Sequence, residues 1–381
     1  MKESLKLAAL ATVAIPNLDV VATRPPQLAT SDYRYGGVLD VHGRHLVVQE
    51  PLHADADHAL HKERTFLESL QGLSRKDALP FDVVEVLGTA RTDDGFEAAV
   101  YEHLSGNELD YDFLKPGPGV TRSLGRAIAA IHELPFPVVL EAKLPMLEPA
   151  ACREDRLAEV DAAARTGKVP TTLLARWEAA LDDVSKWKFA PAVVHGDLAP
   201  ENVLTGNGQV ISVLNWSNAH IGDPAIDLAW LYSGAPEDSL DTIEEAYSIG
   251  RHERPDPHLV ERAMLYSELA VARWLLHGVK INSREIVIDA ERMLDDLNRH
   301  VIAASSPSAP ASAWEVSGSI SSDPVAETAA VAAETSDVAV SPEELSASSA
   351  EELSSSPLED SSSPSADSPK SPEDTAPPVF S

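Results

Sequence analysis

The stretch VVHGDLAPENVL at residues 193–204 decides the fold, because it joins a short apolar strand to a tight turn rich in polar side chains. It carries a carboxylate, Asp197, and an amide, Asn202, five residues later. A carboxylate on a tight loop can accept the proton of an attacking hydroxyl, and an amide oxygen can bind magnesium. The following VLNW, residues 213–216, returns as the second strand of a hairpin and brings Asn215 to the same end. This spacing is typical of phosphoryl transfer, which depends on positioning and charge neutralisation.

A metal hydrolase is the alternative interpretation of the same segment. Its candidate ligands would be the side chains of His195, Asp197, His220 and Asp223, all of permitted ligand types. No two of them are spaced four residues apart, as two ligands on one face of a helix would be. The glycine-rich turn at residues 206–208 and the GDPAID segment at 222–227, which begins a helix, favour the first interpretation.

With these residues the sequence resembles the aminoglycoside phosphotransferase family, which includes macrolide phosphotransferases and relatives of choline kinases. The resemblance covers roughly residues 5–300 and is most specific across residues 193–230. It also includes LGRAIAAIHELP at 124–135 and AVARWLLHG at 270–278. It implies an α+β, two-lobed, protein-kinase-like fold that moves the γ-phosphate of ATP (or GTP) with Mg²⁺ to a hydroxyl of a small molecule.

The resemblance also implies roles for individual residues. Asp197 would be the catalytic base, His195 would support its loop, and Asp227 would brace that loop from the following helix. Asn202 would contact the nucleotide through magnesium, and Asn215 would be a second metal ligand. His132 is interpreted as a packed, hydrogen-bonded helix residue.

Two departures from the family pattern concern the residues that hold the ATP phosphates and their magnesium ion, which we call the phosphate clamp. Asn215 stands where the family has an aspartate, and a neutral amide binds magnesium more weakly than a carboxylate. Gln49 stands on the third strand where a lysine or arginine normally contacts the ATP phosphates and pairs with a helix glutamate, here Glu63. Lys62 could in principle replace that cation. The loop at residues 24–32 lacks glycine, so its backbone amides are poorly suited to hold a phosphate.

Two classes of function therefore remain open. The first is an ATP-dependent small-molecule phosphotransferase that tolerates a depleted clamp, and the second is a catalytically inactive, pseudokinase-like binding or regulatory module. In the first case the acceptor would be a small molecule with a hydroxyl, and a cationic amine would suit the acidic side chains of the helical part: Glu141, Glu148, Glu154, Asp155, Glu159 and Asp161.

Composition limits the partners and the cellular location. The 381 residues include 30 Lys and Arg against 61 Asp and Glu, a net charge of −31, which argues against nucleic acid as a ligand. The single cysteine, Cys152, suits a reducing compartment, and no apolar run is long enough to span a membrane. We therefore expect a cytoplasmic protein with no membrane role.

Composition and periodicity also predict three parts. Residues 1–104 form a β-rich nucleotide-binding lobe, with a surface helix near the N-terminus, strands at 18–22, 33–39, 46–49, 81–87 and 96–104, and a helix at 58–70. Residues 105–302 form a helical lobe that contains the catalytic loop. Residues 303–381 have 14 acidic residues, one basic residue and few large apolar groups, so we expect a disordered acidic tail whose partner is unknown.

Overall fold

A computed structural model describes residues 2–24, 32–76 and 78–304 of the chain. The acidic tail and most of the glycine-free loop after residue 24 lie outside the described residues, so the predictions made for them stay predictions. No helix among the described residues is long and apolar enough to cross a membrane.

An antiparallel sheet dominates the N-terminal part, in the strand order β1-β2-β3-β5-β4. Its side chains alternate between two faces, as expected where both faces are covered by helices. The register sets Gln49 of the third strand opposite Tyr35 on one side and Ala99 on the other. The strands are β1 Val20–Thr23, β2 Tyr33–Asp40, β3 His45–Pro51, β4 Val86–Arg91 and β5 Glu97–Glu102.

Two helices cover this sheet, α1 Lys2–Ala14 on the outer face and α2 Ala54–Ser74 on the inner face. Helix α1 buries Leu7, Leu10 and Ala11 against apolar side chains of β2, β3, β4 and β5. The close fit requires glycine on the sheet, because a Cβ at Gly88 would lie 2.2 Å from the carbonyl oxygen of Ala14. The N-terminal helix is therefore confirmed, and it is packed on the lobe rather than loosely attached to it.

One predicted strand is wrong, and the sequence pattern explains the error. Residues 81–87 were expected to pair with 96–104, but the strand that pairs there is β4, Val86–Arg91. The backbone N–H of Asp82 instead donates to the carbonyl of Ile211, at 2.8 Å, in the helical part of the chain. The apolar alternation of residues 81–84 reflects burial of Phe81 and Val83 in the core rather than a strand of this sheet.

The helix predicted at residues 58–70 extends further at both ends, as α2 from Ala54 to Ser74. Its start is fixed by His53, whose Nδ1 accepts a hydrogen bond from the backbone N–H of Ala56, at 3.3 Å. Asp55 and Asp57 then lie in the first turn, where negative charge is favourable. Since a histidine is an unusual cap, the sequence pattern alone missed this first turn.

Between residues 105 and 304 the chain is mainly helical, as predicted for residues 105–302. Its helices are α3 Val120–His132, α4 Phe136–Glu141, α5 Pro149–Arg165, α6 Thr171–Asp182, α7 Leu231–Gly234, α8 Glu237–Gly250, α9 Leu259–Lys280 and α10 Arg284–Ala304. Five short strands form two small sheets: β6 Asn107–Glu108, β7 Ala192–Val194, β8 Val203–Gly206, β9 Gln209–Val213 and β10 His220–Gly222. The predicted hairpin is β8–β9, and its turn has Asn207 and Gly208 in the left-handed region. The predicted α+β class is confirmed.

The core is continuous between the sheet and the helical part, with Trp216 at the junction. The Trp216 ring meets Phe66 of α2 edge-on at 5.7 Å between centroids and stacks on Phe81 at 6.3 Å. It also lies 4.7 Å from the His195 ring. These ring contacts pack the end of β9 against His195, which follows β7, and against helix α2.

Candidate active site

The loop of residues 195–199 leaves β7 through a turn at Gly196, where φ is +83°. The buried carboxylate of Asp227 holds this turn by accepting hydrogen bonds from the backbone N–H groups of His195, at 2.7 Å, and Gly196, at 2.8 Å. Although burial opposes ionisation, the hydrogen bonds from His132 and Gly196 keep the pKa of Asp227 below its ordinary value. Asp227 lies where a brace of the loop was predicted.

Two buried histidines connect this brace to the surroundings. His132 contacts Asp227 through Nε2, at 3.1 Å, and the Tyr247 hydroxyl through Nδ1, at 2.8 Å. His195 donates from Nε2 to the Leu214 carbonyl, at 2.7 Å, at the end of the hairpin. Burial lowers the pKa of both imidazoles, so both rings are neutral near pH 7. His195 is fully buried, so it supports the loop without contacting solvent.

The carboxylate of Asp197 faces two amides. Its Oδ2 lies 3.5 Å from Nδ2 of Asn215 and 3.5 Å from Nδ2 of Asn218. Burial and the nearby negative charge of Glu201 raise the pKa of Asp197 to about 7. The sequence reasoning did not find Asn218 or Glu201, since neither belongs to a spacing that it tested.

Asn202 turns toward the same loop. Its Nδ2 donates to the backbone carbonyl of Asp197, at 2.7 Å, while its Oδ1 is buried with no hydrogen-bond partner among the described residues. An orphaned buried carbonyl oxygen is costly unless a cation or water occupies its lone pairs. Asn215 has left-handed backbone angles, and its Oδ1 accepts from the Ser217 hydroxyl, at 2.9 Å. The oxygen-rich donor set, and above all the free Oδ1 of Asn202, fits a hard divalent cation.

The hydrolase alternative gains no support from the described residues. No group of three or more His, Cys, Asp and Glu side chains among them is arranged to hold a metal ion. Asp223 is engaged instead by Arg262, whose Nε lies 2.7 Å from its Oδ2. His220 directs Nδ1 at the carbonyl of Asn218, at 2.8 Å.

A cleft opens between the sheet and the end of the hairpin, and Gln49, Glu63 and Asn215 all line it. Both neighbours of Gln49 face the other side of the sheet: Val48 belongs to the core under α1, and Glu50 is bound by Lys6, at 2.6 Å. Gln49 and Val47 are therefore the residues of β3 that face the cleft, and Gln49 is the polar one. The full lining comprises Tyr33, Tyr35, Val47, Gln49, Glu63, Leu67, Val84, Tyr101, Glu102, His103, Leu104, Leu214, Asn215, Trp216 and Ser217.

The described lining of this cleft contains neither lysine nor arginine. Gln49 donates its amide to the Tyr35 hydroxyl, at 3.1 Å. Glu63 accepts from the backbone N–H of Trp216, but burial dominates and raises its pKa to about 7. The hydroxyl of Tyr101 is buried with no partner in the described chain. Lys62 is absent from the lining, so the described contacts do not support it as a replacement cation.

Comparisons with known proteins agree on the fold. The profile of the Phosphotransferase enzyme family matches residues 37–262. The Bacillus subtilis (strain 168) protein YcbJ is 30% identical over 118 residues, which cover 30% of this chain and 38% of YcbJ. The chain therefore matches well under half of the length of that relative.

Solved structures are similar over most of the described residues. The macrolide 2′-phosphotransferase MphH from Brachybacterium faecium has a TM-score of 0.63 at 23% identity, covering 75% of this chain and 97% of that one. The GDP and kanamycin complex of APH(2″)-IIIa has a TM-score of 0.64 at 16% identity, covering 78% and 99%. These likenesses establish the two-lobed, protein-kinase-like fold. Because the family profile extends from the second strand of the sheet, through the loop of residues 195–199, to the start of α9, this chain belongs to the Phosphotransferase enzyme family.

Proposed function

We propose that this protein transfers the terminal phosphoryl group of ATP or GTP to a hydroxyl of a small molecule. One observation carries the proposal: the half-buried carboxylate of Asp197 lies 3.5 Å from the amides of Asn218 and of Asn215, which lines the interlobe cleft, while the amide of Asn202 holds the Asp197 backbone. This arrangement provides a proton acceptor beside oxygen donors for a metal-bound triphosphate. Membership of the Phosphotransferase enzyme family supports the same reaction.

In the proposed reaction Asp197 is the catalytic base. The acceptor oxygen forms a bond to the γ-phosphorus, and the bond from that phosphorus to the β,γ-bridging oxygen breaks. The nucleoside diphosphate leaves with that electron pair, and the hydroxyl proton passes to the carboxylate. A pKa of about 7 suits this task, because the group is substantially ionised near neutrality yet basic enough to hold a proton.

A magnesium ion would be held by Oδ1 of Asn202 and by the phosphates, with Asn215 as a neutral second ligand. When bound it would neutralise charge on the β- and γ-phosphoryl oxygens. The proposal is supported by the free, buried Oδ1 of Asn202. On the sheet side, the Gln49 amide and the tyrosine hydroxyls near it would contact the phosphates by hydrogen bonds in place of an ion pair.

A second candidate function is a nucleotide-binding module without catalysis. It is favoured by the described lining of the cleft, which combines the acid Glu63 with tyrosine hydroxyls and has no lysine or arginine. Loss of one electrostatic stabiliser typically costs about 100- to 1000-fold in rate. Replacement of both the clamp cation and the metal-binding acid could therefore leave binding without turnover.

The acceptor is proposed to be a small molecule, in keeping with the kanamycin and gentamicin complexes of similar structures. The expectation of a cationic acceptor rested on acidic side chains of the helical part. Glu159 is bound by two arginines, and the others are exposed to solvent: Glu141, Glu148, Glu154, Asp155 and Asp161. The positions of these carboxylates thus give a cationic acceptor little support. The cytoplasm is proposed as the location, consistent with the free thiol of Cys152.

The test is turnover of ATP and GTP with Mg²⁺ on a panel of hydroxyl compounds, beside direct measurement of nucleotide binding. Asp197→Ala should abolish turnover and leave nucleotide binding within a few-fold, whereas the exposed Asp161→Ala should change neither. The double variant Gln49→Lys with Asn215→Asp restores the clamp and should raise turnover about 100-fold or more. Nucleotide binding without turnover, in both the wild type and the double variant, would reject the enzyme and favour the binding module.

A further inference from the structure

Helices α5 and α9 bring two arginines to one carboxylate. Nη1 of Arg156 lies 3.0 Å from Oε2 of Glu159, and Nη1 of Arg273 lies 3.3 Å from Oε1 of the same residue. The Glu159 side chain is only 8% exposed, while those of Arg156 and Arg273 are 21% and 38% exposed. Two guanidinium groups that share one carboxylate leave an excess of one positive charge at this site.

Other partly buried arginines of the helical part have no such excess. Arg262 is bound by two carboxylates, those of Asp223 and Asp256. Arg176 makes three hydrogen bonds of 2.9–3.1 Å to Glu268, whose carboxylate also accepts from the Trp177 indole N–H, at 2.8 Å, and is paired with no second arginine among the described residues. Arg273 shares the carboxylate of Glu159 with Arg156 and donates a 3.4 Å hydrogen bond to the Tyr266 carbonyl. Its charge is thus the least compensated of the three.

The positive charge of Arg273 acts on the carboxyl of Asp197. The Arg273 guanidinium is close enough to Asp197 to lower the pKa of that carboxyl, although burial and Glu201 outweigh it. Burial also lowers the pKa of Arg273 itself, with the neighbouring Arg156 adding to the effect. A partly exposed guanidinium with incomplete pairing is a favourable partner for an anion, because its fork of N–H groups matches carboxylate and phosphate oxygens.

We propose that Arg273, held in position by Glu159 and assisted by Arg156, binds an anionic group of the acceptor. The acceptors of this protein would then be hydroxyl compounds that carry a carboxylate or a phosphate. Phosphorylation of such a compound rests on the proposed function, but the anion site itself does not. Arg273 acts here as a specificity determinant, which orients the acceptor so that its hydroxyl lies at Asp197.

A different role for Arg273, contact with the transferred phosphoryl group, makes a distinct kinetic prediction. An acceptor anchor raises KM for anionic acceptors and spares neutral ones. A phosphoryl contact lowers kcat with every acceptor and lowers the slow hydrolysis of ATP. The geometry favours the anchor, because the partners of Arg273 come from α5 and α9 rather than from the cleft that Gln49 and Glu63 line.

Binding of matched compounds, measured without nucleotide by calorimetry, tests the anion site independently of turnover. The probes are glycerol, glycerate and glycerol 3-phosphate, and then glucose, gluconate, glucose 6-phosphate and glucosamine. We expect the carboxylate or phosphate member of at least one set to bind at least 10-fold more tightly than its neutral parent, and glucosamine to gain nothing. Within each set, the carboxylate and phosphate members distinguish the two anions.

Arg273→Gln should weaken binding of the anionic members roughly 10- to 100-fold, the usual range for one charge-assisted contact. Arg273→Lys should retain part of it. The matched control is Arg292→Gln on α10, an arginine 70% exposed, which should change nothing. Circular dichroism and melting temperature check that the variants are folded, and Arg156→Gln provides a second loss of charge at the same site.

The outcomes separate this inference from the proposed function. Anion binding that depends on Arg273, together with no turnover on any compound, would support the anion site and reject the phosphotransferase. Turnover confined to neutral or cationic acceptors would support the phosphotransferase and overturn the anion site. The absence of any preference for anions, or a preference unaffected by Arg273→Gln, would also overturn it. A uniform loss of kcat in Arg273→Gln with unchanged KM would assign Arg273 to the phosphoryl group instead.

Discussion

Oδ2 of Asp227 accepts a 2.7 Å hydrogen bond from the backbone N–H of His195, although 32 positions separate the two residues. The second oxygen takes the N–H of Gly196, at 2.8 Å. One buried carboxylate thus fixes two successive peptide units at the point where the chain turns toward Asp197. The backbone that leads into Asp197, the proposed base, is thus held by a residue that is not among those lining the cleft.

Asp227→Asn should therefore destabilise the protein by about 2–3 kcal/mol. The Asp227 carboxylate accepts hydrogen bonds from two backbone N–H groups and from His132, whereas an asparagine amide would turn its own NH₂ donor toward one of these donors. The substitution also removes the negative charge that strengthens these buried hydrogen bonds. Urea unfolding monitored by fluorescence measures the difference. Asp161→Asn, at an exposed position of α5, is the control and should stay within about 0.5 kcal/mol of the wild type. Equal stability of the two variants would contradict the bracing role.

Gly196→Ala should cost both stability and activity. The position has φ +83°, and a Cβ there would lie 2.4 Å from the carbonyl oxygen of Asn218, whose amide faces Asp197. We expect a loss of about 3 kcal/mol, of which about 1–2 kcal/mol is the left-handed backbone alone. Gly208→Ala measures that backbone share, because it has φ +75° and no atom within 4 Å of the added carbon. If Gly196→Ala and Gly208→Ala lower the free energy of unfolding by the same amount, the contact with the Asn218 carbonyl does not contribute to the loss.

The pH dependence of turnover should report the ionisation of Asp197. Because the base must be ionised to accept a proton, kcat/KM should rise with pH up to the pKa of about 7 and level off above it. Glu201→Gln removes a negative charge that raises this pKa, so the midpoint should move to lower pH. A profile recorded on Glu63→Gln is the control, since Glu63 titrates in the same range. If the midpoint moves in Glu63→Gln and not in Glu201→Gln, the rise of kcat/KM with pH reports the ionisation of Glu63 rather than that of Asp197.

Glu63 should make the protein less stable as pH rises. Burial raises its pKa from 4.5 to about 7, so between these values the folded state binds more protons than the unfolded state. The free energy of unfolding then falls with rising pH and the loss is complete above about 7. Glu63→Gln removes this penalty and keeps an oxygen to accept from the Trp216 N–H. We expect it to be about 2–3 kcal/mol more stable than the wild type at pH 8 and little different at pH 4.5.

Unfolding curves at several pH values measure this difference. Glu68→Gln lies on the same helix at an exposed position and serves as the matched control, with no expected change in slope. Asp197 contributes a pH dependence of the same sign in all three proteins, so only the difference between wild type and Glu63→Gln is diagnostic. If Glu63→Gln is less stable than the wild type at pH 8, the negative charge of Glu63 strengthens the hydrogen bond from the Trp216 N–H by more than its burial costs.

The sequence predicted the fold where local signals and long-range packing agree. The hairpin around Asn207, the strand before His195 and the apolar faces of α3 and α9 all follow from short-range periodicity. The error at residues 81–87 arose because alternation of apolar side chains does not identify the partner strand. Phe81 alternates with Val83 to enter the core beside Trp216, which no local pattern could reveal.

The candidate site was predictable only in part. Asp197, Asn202 and Asn215 could be found because their spacing along the chain carries the chemistry. Asn218 and Arg273 could not, since the fold of the loop brings Asn218 to Asp197, and Arg273 lies 76 positions away in sequence and acts on Asp197 only by its charge. The charge pattern was the weakest guide to the acceptor. Acidic residues are abundant in α5, but most of them are exposed to solvent, and Glu159 is paired with two arginines.

The helix α1 has a consequence for the cleft on the opposite side of the sheet. Lys6 binds Glu50, which is 2% exposed and is also bound by Arg34, at 2.8 Å. Glu50 follows Gln49 on the same strand, so the strand whose Gln49 lines the cleft is tethered on its other face by helix α1. Displacement of this helix would uncover an apolar sheet face and leave a buried acid with one partner fewer. Helix α1 and the cleft thus share strand β3, whose residues face one or the other alternately: Leu46 and Val48 pack under α1, and Val47 and Gln49 line the cleft.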